Sequence, residues 1–193
     1  MSSQLSLFAK AEALPQGFRY EPGLISVEEE AAIVAGLTHL PFKEFEFHGF
    51  LGKRRIVSFG WKYDFSARRV QPSEEIPDFL KPLRAQAGRF SGIAPSELQH
   101  VLVTEYRPGA AIGWHKDKAE FGEVIGISLT ASCTFRFRRR EGDGWRRASL
   151  ILEPRSAYLL SAAARSEWEH SIPAVEHLRY SITFRTLKPT QRS

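Results

Sequence analysis

The chain has 193 residues, 42% of them hydrophobic and 25% charged, and its 27 Lys+Arg against 22 Asp+Glu leave a formal charge of +5. These are globular values that exclude a disordered chain, and the basic excess suits a polyanionic partner. No apolar run approaches the roughly 20 residues of a membrane-spanning helix. The opening MSSQLSLFAKAEALPQGF lacks the basic region and apolar core of a secretory signal. A single cysteine, Cys133, excludes an intramolecular disulfide and a cysteine-based zinc cluster. The expectation is a cytoplasmic protein without a membrane partner, and a monomer, since no heptad pattern is visible.

In chain order, residues 1–17 read as an N-terminal extension, followed by a short strand at Gly17–Tyr20 that Pro22-Gly23 closes. Ser26 precedes Glu29 by three residues, the spacing of a capping box, and Ile33, Val34 and Leu37 follow at helical intervals. The spacing predicts a helix over 27–40, stopped by Pro41. Residues 42–70 interleave eight aromatic residues with Lys53, Arg54, Arg55, Lys62, Arg68 and Arg69. A second helix is expected over 77–90, ending at Ser91-Gly92.

From His100 onward the pattern turns to β. Strands are expected at 100–106, 124–129, 133–138, 148–152, 157–160 and 178–186, with a hairpin tip between Arg139 and Arg147. Helices followed by short strands indicate an α+β chain built on a β-sandwich or jelly roll. It is read as one compact domain: helices and an aromatic, basic segment over 18–99, a strand-rich core over 100–187, and a tail at 188–193.

Two groups of residues carry chemistry. His115 and Asp117 stand two positions apart, and His170 follows 55 residues later in Trp168-Glu169-His170. Two histidines and a carboxylate are the facial set that holds Fe(II) with open positions, although an H-x-D pair is also an ordinary surface turn. In Arg179-Tyr180-Ser181-Ile182-Thr183-Phe184-Arg185, alternation puts Arg179, Ser181, Thr183 and Arg185 on one face. Two guanidinium forks on one face suit a dicarboxylate, or else a solvated surface.

With Tyr106-Arg107-Pro108-Gly109-Ala110 leading into His115-x-Asp117, then His170, then Arg179-x-Ser181-x-Thr183-x-Arg185, most of residues 18–187 resembles the AlkB family of Fe(II)- and 2-oxoglutarate-dependent dioxygenases. The resemblance implies a double-stranded β-helix in which His115, Asp117 and His170 bind iron and form the catalytic centre. By the same likeness Arg179 pairs with the distal carboxylate of 2-oxoglutarate, helped by Tyr106. Arg185 and Ser181 lie near the chelating end, and Thr104 joins them; relatives often carry Asn at the places of Ser181 and Thr104. The implied chemistry uses O2 and decarboxylates 2-oxoglutarate to succinate. The iron-oxo species so formed hydroxylates an alkyl carbon on a base nitrogen, and collapse of the hemiaminal releases an aldehyde.

Residues 42–70 lie where such relatives have a nucleotide-recognition lid. A base taken out of its stack needs aromatic faces, and phosphates need cations. The expected substrate contacts are Trp61, Tyr63 and Phe65 for the base, with Lys53, Arg54 and Arg55 for the backbone and the Arg138–Arg147 hairpin as a second set. The expected partner is alkylated DNA, or RNA. Ala119 stands where several nucleic-acid-repairing relatives have an acidic base contact, which leaves the preferred base open. The competing readings keep the cofactors but change the substrate to a tRNA nucleoside, a protein or a small molecule, or make the domain a non-catalytic nucleic-acid binder. A cupin-type protein leaves the arginine face idle. His39, His48, His100 and His177 have no partner at ligand-like spacing and read as structural or exposed.

Overall fold

A computed structural model describes residues 13–47, 50–64 and 69–188. In chain order the elements are β1 (Phe18–Glu21), α1 (Val27–Leu37), β2 (Lys43–Phe47), β3 (Phe50–Phe59), β4 (Trp61–Asp64) and β5 (Arg69–Pro72). Then come α2 (Lys81–Ser91), β6 (Leu98–Tyr106), β7 (Ile112–His115), β8 (Phe121–Leu129), β9 (Cys133–Glu141) and β10 (Gly144–Leu152). The chain closes with β11 (Ser156–Leu160), α3 (Ala162–Ser166), β12 (Glu169–Ile172) and β13 (Arg179–Leu187).

Local chemistry sets the helix ends. Ser26 Oγ accepts from the Glu29 amide while the Glu29 carboxylate accepts from the Ser26 amide, so the capping box forms as the spacing predicts. The helix ends at Leu37, three residues short of the expected stop. Thr38 Oγ1 bonds back to the Ala35 carbonyl at 2.7 Å, and the chain turns before it reaches Pro41. The second helix opens with a 3₁₀ turn, Asp78–Leu80, and ends at Gly92, whose φ of +80° is the left-handed stop that favours glycine.

The strands form two antiparallel layers. One sheet has the order β1-β11-β8-β13-β6-β3-β2 and the other β10-β9-β12-β7, with β4 and β5 as a separate ribbon. This is the expected double-stranded β-helix. β1, β2 and β3 precede residue 100 yet belong to the same sheet as β6, β8, β11 and β13. Of the aromatic, basic segment, β2 and β3 are therefore woven into that sheet through the pairing of β3 with β6.

The large sheet is covered on both faces. Its outward row, including Val101, Val103, Ile125, Ile127, Ile182 and Phe184, packs with Leu37 of α1 and Leu83 and Ala87 of α2. Each fully buried apolar side chain of this kind contributes roughly 1.5–3 kcal/mol. The inward face meets Phe135 and Phe137 of β9, with Trp168 beside them. Hence β13 is buried on both sides, and its alternation separates two interiors. One interior is apolar apart from the buried Glu105; the other is the cavity described next. Among the described residues no helix is long and apolar enough to cross a membrane.

Candidate active site

Hydrogen-bond register stacks the inward side chains into rows across the large sheet. Arg54, Tyr106 and Arg179 make one row, and Ile56, Thr104, Ser181, Ser128 and Ser156 the next. Ser58, Leu102, Thr183, Gly126 and Tyr158 follow, and then His100, Arg185 and Val124. Most of these residues line one wall of a cavity of about 520 Å³, with Arg179, Ser128, Ser156 and Gly126 outside the lining, and Phe135, His170 and Ile172 form the facing wall.

At one end of the cavity β7 and β12 run side by side, which sets His115 opposite His170 with ring centroids 4.3 Å apart. Asp117 follows two residues after β7, and the three side chains place one ligand atom each within 4.8 Å of one another. His115 Nδ1 lies 2.9 Å from the Gly113 carbonyl. In the neutral tautomer that nitrogen donates to the carbonyl and leaves Nε2 for a metal. Burial lowers the pKa of His115 and pushes that of His170 down to about 3, so both are neutral ligands at pH 7. The 3.5 Å approach of His170 Nε2 to Asp117 Oδ2 is accordingly a convergence of two donors and not an ion pair. Burial alone would raise Asp117. Arg185, His170 and His115 outweigh it and hold the carboxyl far below its ordinary range.

Arg185 reaches Asp117 Oδ1 through Nε at 2.9 Å and Nη2 at 2.7 Å, which leaves Oδ2 toward the histidines. Its Nη1 lies 3.3 Å from His100 Nδ1. Burial, then the Arg185 charge, depresses His100, so its neutral ring accepts from the guanidinium. His100 also lies against Phe121, ring centroids 4.5 Å apart. Sequence reasoning set His100 aside; its even-numbered phase with Leu102, Thr104 and Tyr106 was the signal for this face. Arg165 was missed as well. It donates to the carbonyls of Lys118, Phe121 and Gly122 at 2.6–2.7 Å, fixing the loop that follows Asp117.

Arg179 is fully buried, its Nε donates to Ser128 Oγ at 3.1 Å, and its guanidinium lies 5.1 Å over the Tyr106 ring. Both Nη atoms lack a hydrogen-bond partner among the described residues. An uncompensated buried cation costs several kcal/mol, so orphaned donors of this kind suit an anion.

The other expected contacts divide. Tyr106, Thr104, Ser181, Arg54 and Tyr63 line the cavity. Tyr63 lies under the Lys118 ammonium at 5.0 Å. Arg55 does not line it: as the next residue along β3 it points to the opposite face. There it grips Glu105 at 2.8 and 2.7 Å and packs over Phe42. Trp61 is also outside the lining, Ala119 is exposed, and Phe65 and the Lys53 side chain lie outside the described residues.

The profile of the 2OG-Fe(II) oxygenase superfamily matches residues 17–185. A protein of Arabidopsis thaliana named alkylated DNA repair protein ALKBH8 homolog is 27% identical over 176 residues, covering 79% of this chain and 49% of that protein. The mimivirus protein L905, from Acanthamoeba polyphaga mimivirus, is 27% identical over 58% of this chain and 59% of its own length. The chain thus spans about half the length of these relatives. The solved structure of OsALKBH1 superposes with a TM-score of 0.67 at 16% identity, covering 90% of this chain and 98% of that one. A Burkholderia pseudomallei oxidoreductase of the 2OG-Fe(II) oxygenase family gives 0.62 at 15% identity, covering 89% and 85%. The last two likenesses speak to the fold.

The chain belongs to the 2OG-Fe(II) oxygenase superfamily. Membership implies Fe(II), 2-oxoglutarate and O2. The two neutral histidines and one ionised carboxylate fit iron, and the orphaned Arg179 donors fit the diacid.

Proposed function

We propose that this chain is an oxidative dealkylase of N-alkylated bases in nucleic acid, DNA or RNA, which couples conversion of 2-oxoglutarate to succinate with loss of the alkyl group as an aldehyde. The observation that carries the reading is one cavity holding both the His115–Asp117–His170 set and, on its sheet wall, Arg185 with Arg179 behind it. When bound, iron, O2 and 2-oxoglutarate supply the oxidising power for C–H hydroxylation. The chain's own residues do the holding. His115, Asp117 and His170 present three ligand atoms, and Arg185 keeps Asp117 ionised and its second oxygen directed at them. Arg179 and Tyr106 receive the distal carboxylate, with Ser181 and Thr104 as short hydroxyl donors beside it. No protein base is required for the C–H step.

Two features support a nucleic-acid substrate. Arg54 and Tyr63 line the cavity from β3 and the β4–β5 ribbon, which we assign to a nucleotide-recognition lid. The outer face of the small sheet is a stack of cations and indoles. The Arg138 guanidinium lies 4.6 Å from the Trp114 ring and 4.2 Å from that of Trp145. Arg136 covers Trp114 and Arg140 covers Trp145. Trp114 also lines the cavity, so this face is continuous with the site. Such surfaces hold phosphates and stack bases.

The test is succinate and aldehyde release over methylated and etheno-modified DNA and RNA oligonucleotides, tRNA, protein and small-molecule arms. Turnover coupled to an alkylated oligonucleotide supports the reading. Coupling only to a protein or a small molecule overturns it, and neutral Ala119 makes the choice of base the first result to read.

A further inference from the structure

The hairpin of the small sheet carries more charge than the cavity uses. Along β9, Phe135 and Phe137 point inward and are buried, so strand alternation sends Arg136, Arg138 and Arg140 outward. On β10, Trp145 pairs with Arg140 and Arg147 with Arg138, which puts both on the same outer face. On the other side of β9, Arg136 pairs with Ser171 and Arg138 with Glu169. Among the described residues the strands of this face thus carry four arginines and one carboxylate. Arg139 and Arg146, of the opposite phase, lie over Trp168 instead.

The outward cations are held in a row. Arg136 donates from Nε to Ser171 Oγ at 3.1 Å, and Arg138 donates from Nε to Glu169. Arg138 also sits against both Trp114 and Trp145, which fixes its stem. Arg140 and Arg147 are exposed and make no ion pair among the described residues. Alternate residues of a strand are about 6.7 Å apart, so the three arginines of β9 span about 13 Å. That step is close to the one between successive phosphates of an extended nucleic-acid strand. An acidic protein surface has no such regular charge repeat.

The row begins beside Trp114, which lines the cavity and precedes His115 in the chain, and it ends at Trp145, 36% exposed. A duplex keeps its bases inside the stack, away from an indole, whereas an unpaired base can lie on one.

We propose that the outer face of the small sheet is a track for single-stranded nucleic acid, which seats the nucleotides on one side of the target base while that base enters the cavity. This rests on the dealkylase reading above and adds the strandedness of the substrate and the path of one flank. The arginines take phosphates, Trp145 takes a base near the hairpin tip, and Trp114 marks the bend into the cavity. Arg54 and Tyr63 reach the cavity from other elements, β3 and the β4–β5 ribbon, so only one flank of the target lies on the track.

The experiment is a fluorescence-anisotropy titration of the full chain with labelled oligonucleotides. Each carries one methylated base and a tail of increasing length on its 5′ or its 3′ side. The arms are single-stranded DNA, single-stranded RNA and the matching duplexes. Wild type should gain affinity with tail length and level off within a few nucleotides. Arg140→Thr combined with Arg147→Thr should lose about tenfold in affinity for tails on one side only. Its slope of log affinity against log salt should be shallower by roughly 1.4, two phosphate contacts at about 0.7 each. Melting temperature and 2-oxoglutarate affinity should stay as in wild type.

Equal affinity of variant and wild type for every tail overturns the inference. So does a loss that is equal on both sides, which marks a diffuse charge effect, and so does a wild-type preference for duplex over single strand. Unmodified strands separate the two readings. If they show the one-sided loss but no alkylated strand is turned over, the dealkylase reading falls while the track remains. If alkylated strands are turned over and the variant binds them like wild type, only the track falls.

Discussion

The two faces of the large sheet each bury charge, and they settle it in opposite ways. On the outward face Glu105 accepts from Arg55 and Arg107 and meets the Tyr180 hydroxyl at 3.3 Å. One buried carboxylate is closed off by three donors. On the inward face, one residue away on the same strands, Arg179 has a single side-chain partner and two orphaned nitrogens. Charge that the fold satisfies by itself is structure, whereas buried charge left open beside a cavity suits a ligand.

The largest expected effect is at the metal set. His115→Ala or Asp117→Ala should abolish iron-dependent succinate formation while the fold survives, as circular dichroism and succinate release together would show. Retained turnover defeats the assignment. Next is Arg179→Leu, where the two faces should part most clearly. With the unpaired cation gone, the ligand-free protein should melt no lower than wild type. Its 2-oxoglutarate affinity should fall by about 100-fold, since charge-assisted bonds are lost with nothing to replace them. A large drop in melting temperature together with unchanged affinity would put Arg179 in the same class as the Glu105 cluster.

Mild acid, above the range in which Glu105 titrates, should probe mainly the inward face. Burial holds His170 near a pKa of about 3, whereas in the unfolded chain it returns to about 6.5. Between those values the unfolded state binds the extra proton, so stability rises with pH there. The stabilisation is complete above pH 6.5 and is lost progressively as pH falls toward 3, by a few kcal/mol at most. His100 and His115 are depressed in the same direction. Melting temperatures of the metal-free protein from pH 7.5 to 4.5 measure it; a flat profile means that these rings are not buried neutral.

Much of this was legible before the structure. The H-x-D pair, the later histidine and the alternating arginines share a period of two, and strand period is a local property that a sequence displays directly. What escaped were relations between strands. His100 is on the cavity wall because β6 and β13 pair in a register that sets it opposite Arg185. Arg165 acts on a loop more than 40 residues away in sequence. Nothing near those residues announces a partner. Long-range register also explains β3: a basic, aromatic run reads as a lid, and its pairing with β6 makes half of that run a sheet strand.

Arg54 and Arg55 bring the comparison down to adjacent residues, and to the smallest expected effects. Both were expected to contact phosphate, but a strand sends neighbours to opposite faces. Arg55→Ala leaves Glu105 with only the more exposed Arg107 and should lower stability by about 1–2 kcal/mol, with oligonucleotide affinity unchanged. Arg54→Ala should act on binding: affinity for a methylated oligonucleotide should fall a few-fold, and the salt dependence of binding should lose about one phosphate contact. Denaturant melts and binding titrations from 50 to 200 mM salt measure both. If Arg55→Ala weakens nucleic-acid binding and Arg54→Ala does not, the strand's two faces have been assigned the wrong way round, and the lid assignment falls with them.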